Sequence, residues 1–356
     1  MTMFKFIMLA ALFLFEIQAS SEAEQAATPE WAAAVLQKGQ QGAAAAVDVV
    51  VAKDGSGNFE SIMAAIDAAP RASMKRHVVR LAKGVYDEIV RVPEDVWNLT
   101  LLGDGIGVTV VTGSRAFDDG YSMPETATVG VDGPGFIAHD LTIQNTAGSA
   151  KQQALALRSH SARSVVYRVS LEAHQDTLYA QDHYQFYHAC MISGTVDFIF
   201  EDATAVFQSC LLVARVPHPG QQNVVTAQGR YQANSTSGFV FQLCNITGEP
   251  LLREKVVETY LGRPWKPYSR VVFIECFIDS VVDRRGYLPW NGSMGLDTLF
   301  YGEYNNSGPG SDVKGRVNWP GFHAITAAEA ANFTVASFLE GQSWLPGTGV
   351  EFTPGL

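Results

Sequence analysis

Two short segments, residues 174–178 (HQDTL) and residues 194–200 (GTVDFIF), decide the fold prediction. They complete a regular spacing, because Gln153, Gln175 and Asp197 follow one another at equal intervals (175 − 153 = 22 and 197 − 175 = 22), and Asp176 adjoins the middle member. A fixed period of this size is typical of a solenoid, in which each coil stacks on the one before it. Stacked strands lie about 4.8 Å apart, so residues one coil apart are neighbours in space. The spacing therefore predicts that two amide side chains and two carboxylates share one small surface.

Strand-like segments with a single polar and apolar alternation surround this spacing. The alternation predicts that one face of each strand points into a core. The intervals between aligned positions are unequal (the shortest is 208 − 188 = 20 and the longest 242 − 208 = 34), which indicates coils with loops of different length. We predict an all-β fold, a parallel β-helix of roughly ten coils. A β-propeller would need hairpins and blades of about 40 residues. The aligned strands begin at His139, Tyr167, His188, Gln208, Gln242 and Ile274.

Short helices are predicted at both ends of the solenoid, which we assign to residues 47–356. Apolar residues at helical spacing precede Pro70 and predict a helix that caps the first coil. Near the C-terminal end, Thr326 and Glu329 form a capping box, and a second short helix is predicted over residues 335–339. The apolar residues of the first helix are Phe59, Ile62, Met63 and Ile66.

The first 46 residues have the pattern of a secreted protein. Lys5 precedes an apolar run over residues 6–15 and small residues at 19–21, which predicts a signal peptide over residues 1–20. The run is too short to span a bilayer. Residues 21–46 are polar and rich in alanine, which predicts a short tether. Glycosylation sequons agree with secretion and occur at Asn98, Asn234, Asn245, Asn291, Asn305 and Asn332.

Composition excludes several classes of partner and site. The formal net charge is −11 and the sequence pI is near 5.2, which argues against nucleic acid as a partner. No apolar stretch elsewhere in the sequence has the length of a membrane span either, so no membrane association is predicted. The four cysteines show no metal-binding spacing, and they fall in one column of the strand alignment. They are either buried thiols in an apolar stack or, in a secreted chain, one or two disulfide bridges between stacked neighbours. The cysteines are Cys190, Cys210, Cys244 and Cys276.

A paired carboxylate site is suited to hydrolysis, because one aspartate can act as nucleophile or base while the other donates a proton. Asp197 lies in an apolar run, so its charge needs a cationic partner, for which Arg263 is the best candidate. Asp176 should titrate higher because it neighbours a second carboxylate. Gln153 and Gln175 could donate to an oxyanion, provided that the chain bends between Gln175 and Asp176. Spacing alone leaves open a simple polar ladder that stacks without catalysis.

These segments resemble plant pectin methylesterases (pectinesterases) over residues 49–352. The resemblance implies a right-handed parallel β-helix that removes methyl esters from homogalacturonan pectin in the cell wall, without a metal or an organic cofactor. It implies a monomer, a proteinaceous pectinesterase inhibitor as a partner, and the form without an N-terminal inhibitor-like pro-domain. The most specific segments are residues 84–88 (GVYDE), 153–158 (QALALR), 175–178 (QDTL), 197–200 (DFIF) and 261–265 (LGRPW).

The resemblance also implies a role for each site residue. Asp197 matches the nucleophile, and Asp176 matches the general acid that then acts as base. Gln153 and Gln175 match the oxyanion donors, and Arg263 matches the group that keeps the nucleophile ionised. The implied substrate contacts are Trp265, which matches a sugar-stacking wall, together with Arg263 and Gln153. The implied disulfide joins Cys210 and Cys244.

The sequence departs from the family pattern in three places. Glu201 replaces a usual glycine, Met123 and Pro124 replace a Thr-Phe pair, and Gln152 stands where histidine is frequent. If position 201 needs a positive φ, its glutamate strains the turn. Two further alternatives remain: a pseudoenzyme that binds pectin or an inhibitor without turnover, and a pectate lyase that depends on calcium.

Overall fold

The computed structural model describes residues 46–255 and 257–356. The predicted signal peptide and, except for Ala46, the predicted tether lie outside the described residues. The described chain is a right-handed parallel β-helix, in which the coils contribute short strands to three faces. No helix among these residues is long and apolar enough to cross a membrane. The predicted fold class is confirmed.

The first face is a seven-stranded parallel sheet, counted within the described residues. Its strands are only three to six residues long, because each coil turns a corner soon after the strand begins. In chain order they are β4 (Val90–Val92), β7 (Val129–Val131), β9 (Leu157–Ser159), β11 (Leu178–Ala180), β14 (Ile199–Glu201), β17 (Asn223–Gln228) and β20 (Thr259–Gly262).

The other two faces form one continuous sheet, because two long strands run across the corner between them. These are β8 (Ile137–Asn145) and β10 (Ser164–Glu172). The second face adds β1 (Val49–Val51), β2 (His77–Leu81), β5 (Leu99–Leu102), β12 (Tyr184–His188), β15 (Thr204–Gln208), β18 (Gly238–Gln242), β21 (Arg270–Ile274), β23 (Phe300–Tyr304) and β24 (Phe322–Ala324). The third face adds β3 (Gly84–Asp87), β6 (Thr109–Gly113), β13 (Met191–Gly194), β16 (Leu211–Ala214), β19 (Asn245–Gly248) and β22 (Phe277–Ile278).

The corner between the second and third faces confirms the alignment made from the sequence. Tyr167 pairs with both His139 and His188, and the same register continues through the later coils. The residue after each aligned position adopts the left-handed conformation, which turns the chain from one face to the next. These residues are Asp140 (φ 56°), Arg168 (54°), Ala189 (51°), Ser209 (55°), Leu243 (57°) and Glu275 (53°).

Stacked rings fill the core beneath this corner. Tyr187, Phe207, Phe241 and Phe273 occupy successive coils, with ring centroids 4.6, 4.6 and 4.8 Å apart. All four rings are fully buried. Because the four rings occupy the same position in neighbouring coils, each ring packs on the next, which favours offset stacking.

The cysteine column is present, but it contains no disulfide. Cys190, Cys210, Cys244 and Cys276 are buried free thiols. The structure therefore differs from both the predicted bridges and the Cys210–Cys244 disulfide implied by the resemblance. Each Sγ instead lies against a main-chain carbonyl of the preceding coil, as Cys210 does with Tyr187 O at 3.4 Å and Cys244 with Phe207 O at 3.2 Å. Cysteine here behaves as a small buried apolar side chain with a weak donor.

The predicted helices are present and short. Helix α1 (Ile62–Asp67) is capped by the Ser61 hydroxyl and buries Ile62, Ala65 and Ile66. Phe59, predicted as part of this helix, precedes it and pairs with Val51 in an isolated bridge. Helix α2 (Pro250–Arg253) was not predicted. Helices α3 (Ala327–Ala330) and α4 (Val335–Phe338) were, and α3 carries the predicted Thr326–Glu329 capping box.

Candidate active site

A cavity of about 250 Å³ lies against the seven-stranded sheet. The six residues predicted from the sequence to act in catalysis or to bind substrate all line this cavity, so the structure brings them together. The lining residues are Met123, Gln153, Gln175, Asp176, Asp197, Phe200, Ala227, Arg263, Trp265 and Trp290.

Strand register decides which polar side chains are neighbours. Gln153 pairs with Gln175 in an isolated parallel bridge, as the first of the two equal intervals predicts. The second interval, from Gln175 to Asp197, does not match the pairing. Strands β11 and β14 pair at an offset of 21 residues rather than 22, with Leu178 opposite Ile199 (199 − 178 = 21). The Asp176 amide donates to Val196 O at 3.0 Å, which continues this register and brings Asp197 level with Asp176 rather than with Gln175. The two carboxylates therefore stack on each other in neighbouring coils.

Both aspartates sit at bends just before a strand. Asp176 has φ 62° and Asp197 has φ 52°, in the left-handed region that non-glycine residues rarely adopt. Such a residue costs about 1–2 kcal/mol relative to an ordinary backbone conformation. The bend at Asp176 is the one predicted from the sequence, and it allows the adjacent Gln175 and Asp176 side chains to line one cavity.

Arg263 binds only one of the two carboxylates. Its Nε donates to Asp197 Oδ1 at 2.8 Å and its Nη2 to Oδ2 at 2.5 Å. The guanidinium carbon also lies 4.4 Å from the centroid of the Trp290 ring, within cation–π distance. This two-point contact fixes the Asp197 carboxylate in one orientation toward the cavity.

Burial and charge separate the two carboxyl groups. Burial raises the pKa of Asp176 well above its ordinary value, the nearby Asp197 raises it further, and Arg263 lowers it only in part. Burial also raises the pKa of Asp197, but its hydrogen bonds and ion pair with Arg263 oppose that change. Asp197 therefore ionises first, and Asp176 keeps its proton to higher pH.

The amide of Gln153 has unused hydrogen-bonding capacity. Its Oε1 is buried and has no hydrogen-bond partner among the described residues. A buried polar atom without a partner is rare in folded proteins and is expensive to leave unpaired. A ligand in the cavity could satisfy this amide.

Aromatic side chains form one wall of the cavity. Trp265 meets Phe200 edge to face at 6.3 Å, and Phe200 stacks on Tyr179 at 4.7 Å. Trp290 lies 6.4 Å from Trp265. The sequence predicted Trp265 as a wall residue but assigned no role to Phe200 or Trp290. Phe200 follows the alternation of β14, whereas Trp290 lies in a loop without any periodic signal.

The three departures from the family pattern occupy different positions. Met123 lines the cavity, whereas Gln152 is outside the lining and its Nε2 donates to Asp118 Oδ1 at 2.6 Å. Glu201 is outside the lining and has φ 91°. Position 201 therefore has the positive φ that favours glycine, and its glutamate strains the turn. Burial, with a smaller contribution from Asp202, raises the pKa of Glu201 to about 7.

Comparison with known proteins adds a family to this geometry. The sequence model described as "Pectinesterase" matches residues 48–342. "Probable pectinesterase/pectinesterase inhibitor 32" of Arabidopsis thaliana is 51% identical over 312 residues, which are 87% of this chain and 59% of that protein. "Pectinesterase 2" of Citrus sinensis is 47% identical over 312 residues, which are 87% of this chain and 61% of that protein. The chain thus spans about three fifths of the length of these curated relatives.

Solved structures agree with the sequence relatives. The pectin methylesterase from carrot is 46% identical with a TM-score of 0.87, and the match covers 89% of this chain and 100% of the carrot chain. The pectin methylesterase from Aspergillus niger is 27% identical with a TM-score of 0.73, over 87% of this chain and 98% of that chain. With a family match over most of its length, the chain belongs to the pectinesterase family.

Proposed function

We propose that this protein is a carboxylic ester hydrolase that demethylesterifies homogalacturonan pectin and releases methanol. The single observation that carries the proposal is the unequal carboxyl pair, in which Arg263 binds Asp197 while Asp176 lies beside it without a bound cation. Ester hydrolysis by a pair of carboxyl groups needs one ionised nucleophile and one protonated acid in the same site at the same pH. Membership of the pectinesterase family supports pectin as the substrate.

The first half of the reaction forms a covalent intermediate. An Asp197 carboxylate oxygen attacks the carbonyl carbon of the C6 methyl ester, and the carbonyl oxygen becomes an oxyanion. Amide N–H groups of Gln153 and Gln175 stabilise that oxyanion, as donors aimed at developing charge do. The C–O bond to methanol then breaks, the Asp176 proton moves to the leaving oxygen, and an acyl–Asp197 anhydride remains.

The second half restores the enzyme. Asp176, now ionised, removes a proton from a water molecule that attacks the anhydride carbonyl. The bond to Asp197 breaks, the galacturonate carboxyl group leaves, and Asp176 again carries a proton. The sum is ester plus water giving acid plus methanol. Trp265 is proposed as the sugar-stacking wall, with Arg263 and Gln153 also contacting substrate.

The cellular setting belongs to the same proposal. The predicted signal peptide over residues 1–20 and the sequons support secretion to the cell wall, with residues 47–356 as the catalytic domain. Relatives of this chain are named pectinesterase/pectinesterase inhibitor, which supports a proteinaceous inhibitor as a partner of the monomer.

The direct test is methanol release from highly methylated pectin by the purified protein, with a chelator present. Wild type should release methanol, and Asp197→Asn should lose at least about 10⁴-fold in turnover while folding normally, as expected when a nucleophile is removed. Asp95→Asn is a matched control, because Asp95 is an exposed carboxylate paired with Arg71. Near wild-type turnover by Asp197→Asn would disprove the mechanism. Chain cleavage that stops in the chelator and yields unsaturated sugars without methanol would favour a calcium-dependent lyase.

Two observations favour a second candidate, a pectin-binding pseudoenzyme. Glu201 strains the backbone at the end of β14, and Met123 replaces an expected contact in the cavity wall. Under this alternative the wild type would bind methylated pectin without releasing methanol. The same assay, combined with pectin binding, distinguishes the two candidates.

A further inference from the structure

A second cluster of reactive side chains lies at the other ends of the strands that position the catalytic residues. His160 follows β9, and Asp182 and His183 follow β11. At the opposite ends, Gln153 precedes β9, and Gln175 and Asp176 precede β11. Strands β9 and β11 pair in neighbouring coils, with Ser159 opposite Ala180. One ligand atom from each of the three side chains lies within 4.8 Å of the other two. The two imidazole rings are 5.1 Å apart between centroids.

We propose that His160, Asp182 and His183 bind a divalent transition-metal ion, for which Zn²⁺ is the best fit. Two imidazole nitrogens and one carboxylate oxygen form a ligand set that Zn²⁺ uses, with a fourth position left for water. Zinc–ligand bonds of about 2.1 Å require ligand atoms about 3.4 Å apart. The three atoms therefore need to move by roughly 1 Å, and Asp182 and His183 are exposed enough to do so.

A neighbouring carboxylate lies close to one of the proposed ligands. Asp132 follows β7 in the preceding coil, and its Oδ1 lies 3.5 Å from His160 Nδ1. Arg158 holds Asp132 in place through hydrogen bonds of 2.9 and 3.3 Å. Carboxylates that accept the second N–H of a metal-binding histidine fix its tautomer and raise its basicity. With its Nε2 atom on the metal, His160 would have its Nδ1–H facing Asp132 Oδ1.

The corner after β11 presents the other two ligands. His183 has φ 67°, a conformation that few side chains adopt, and its amide donates to Asp182 Oδ1 at 2.6 Å. That bond fixes the carboxylate and leaves Oδ2 available.

The charges around the cluster favour a cation. Asp202 lies level with Asp182 in the next coil, because Tyr184 pairs with Thr204. Both carboxylates line one shallow cavity, whose only cationic side chain within the described chain is Arg163. Neutral histidines bring no charge of their own, so the ligand set with Asp182 carries a net charge of −1, and Asp202 adds to the negative field.

The test uses protein purified without a histidine tag. The protein is titrated with Co²⁺ while visible absorption is recorded, and separately with Zn²⁺ in a calorimeter. Wild type should bind one equivalent, and an excess of Ca²⁺ should not displace Co²⁺ because calcium prefers oxygen ligands. His183→Asn should lose at least roughly 10-fold in affinity, while asparagine still tolerates φ 67°. His160→Gln, away from that strained position, should lose affinity to a similar extent.

Two further variants complete the design. Asp132→Asn keeps both imidazoles and should weaken binding by about 10–100-fold, as loss of an orienting carboxylate does. His218→Ala removes an exposed histidine outside the cluster and should bind as wild type does. The proposal is overturned if no one-equivalent binding occurs, or if His183→Asn and His160→Gln both bind as tightly as wild type.

Discussion

Two arginine–carboxylate pairs in this molecule have the same two-point geometry and opposite surroundings. Arg316 donates to Glu303 at 2.7 and 3.1 Å, and each side chain is 1% exposed. Arg263 donates to Asp197 at 2.8 and 2.5 Å, but Arg263 is 27% exposed and Asp197 8% exposed. The first pair is closed within the protein and the second forms part of a cavity wall.

The hydrogen bonds around each pair explain the difference. Glu303 also accepts from the Tyr287 hydroxyl at 3.2 Å, and Arg316 also donates to Gly310 O at 2.8 Å. The Asp197 pair instead has Asp176 beside it, a carboxyl group whose pKa is well above its ordinary value because of burial. An ion pair is structural where the protein satisfies all its polar atoms, and it can react where one side remains available to a substrate.

The largest expected effect on stability comes from breaking the closed pair. Arg316→Met leaves the Glu303 charge buried without its partner, which should lower the free energy of unfolding by about 3–5 kcal/mol. Turnover per folded molecule should not change. Urea unfolding measures the first quantity and methanol release the second.

A matched control uses a surface pair. Arg285 lies against Asp283 and Glu258 with 49% of its side chain exposed. Arg285→Met should therefore cost about 0–1 kcal/mol. Equal destabilisation by Arg285→Met and Arg316→Met would contradict the comparison.

Breaking the Arg263–Asp197 pair should instead affect activity more than stability. Arg263→Met removes the cation that opposes protonation of Asp197, so turnover at neutral pH should fall by roughly 10²–10³-fold, as it does when a positioned donor is lost. The acidic limb of the pH–rate profile should move to higher pH, because the pKa of Asp197 rises further without Arg263. Unfolding free energy should change less than in Arg316→Met. An unchanged pH profile would show that Arg263 does not control the ionisation of Asp197.

The unpaired carboxyl group should cost stability in a pH-dependent way. The pKa of Asp176 is higher in the folded chain than the value of about 3.9 expected when unfolded. Its protonated form therefore contributes stability at low pH, and this contribution is lost as pH rises, by about 1.4 kcal/mol per pH unit up to the folded-state pKa. Asp176→Asn should lose activity yet become progressively more stable than wild type as pH increases. Urea midpoints across this range test the prediction, and a difference independent of pH would contradict it.

The smallest expected effect on stability concerns Glu201. This half-buried carboxyl group lies beside the Tyr179 hydroxyl rather than beside an arginine. Glu201→Gly should relieve the strain at φ 91° and stabilise the fold by roughly 1 kcal/mol, after subtracting the entropy that glycine loses on folding. Glu201→Gln, which keeps the side chain and removes the charge, serves as the control. If Glu201→Gln stabilises as much as Glu201→Gly, charge rather than backbone strain is the cause.

The sequence predicted the fold and most of the site because both depend on a repeat. Polar and apolar residues alternate along each strand with a period of two. One aligned pair such as Tyr167 and His188 therefore determines the register of the residues on either side of it. Arg263, far along the chain from Asp197, was predicted from the need to neutralise that buried carboxylate. The repeat could not predict that β11 and β14 pair one position short of the earlier interval, which places Asp197 beside Asp176.

Loops carry the features that the sequence did not predict. Trp290 and Arg316 lie outside the aligned columns that relate one coil to the next, and no periodic pattern connects them to their partners Arg263 and Glu303. The thiol state of Cys210 and Cys244 also differs from the expectation, because a shared column allows a bridge without requiring one.

The stack of rings at Tyr187, Phe207, Phe241 and Phe273 has a consequence for how the chain folds. Each ring belongs to the coil after the previous one (207 − 187 = 20, 241 − 207 = 34 and 273 − 241 = 32), so each new contact closes a loop of one coil only. Loop-closure entropy grows only with the logarithm of loop length, so closing the longest of these loops rather than the shortest costs about 0.5 kcal/mol more. Each coil can therefore add to a preformed neighbour at nearly the same entropic cost. Insertions in the loops of this β-helix should slow folding little, provided that the ring of that coil is retained.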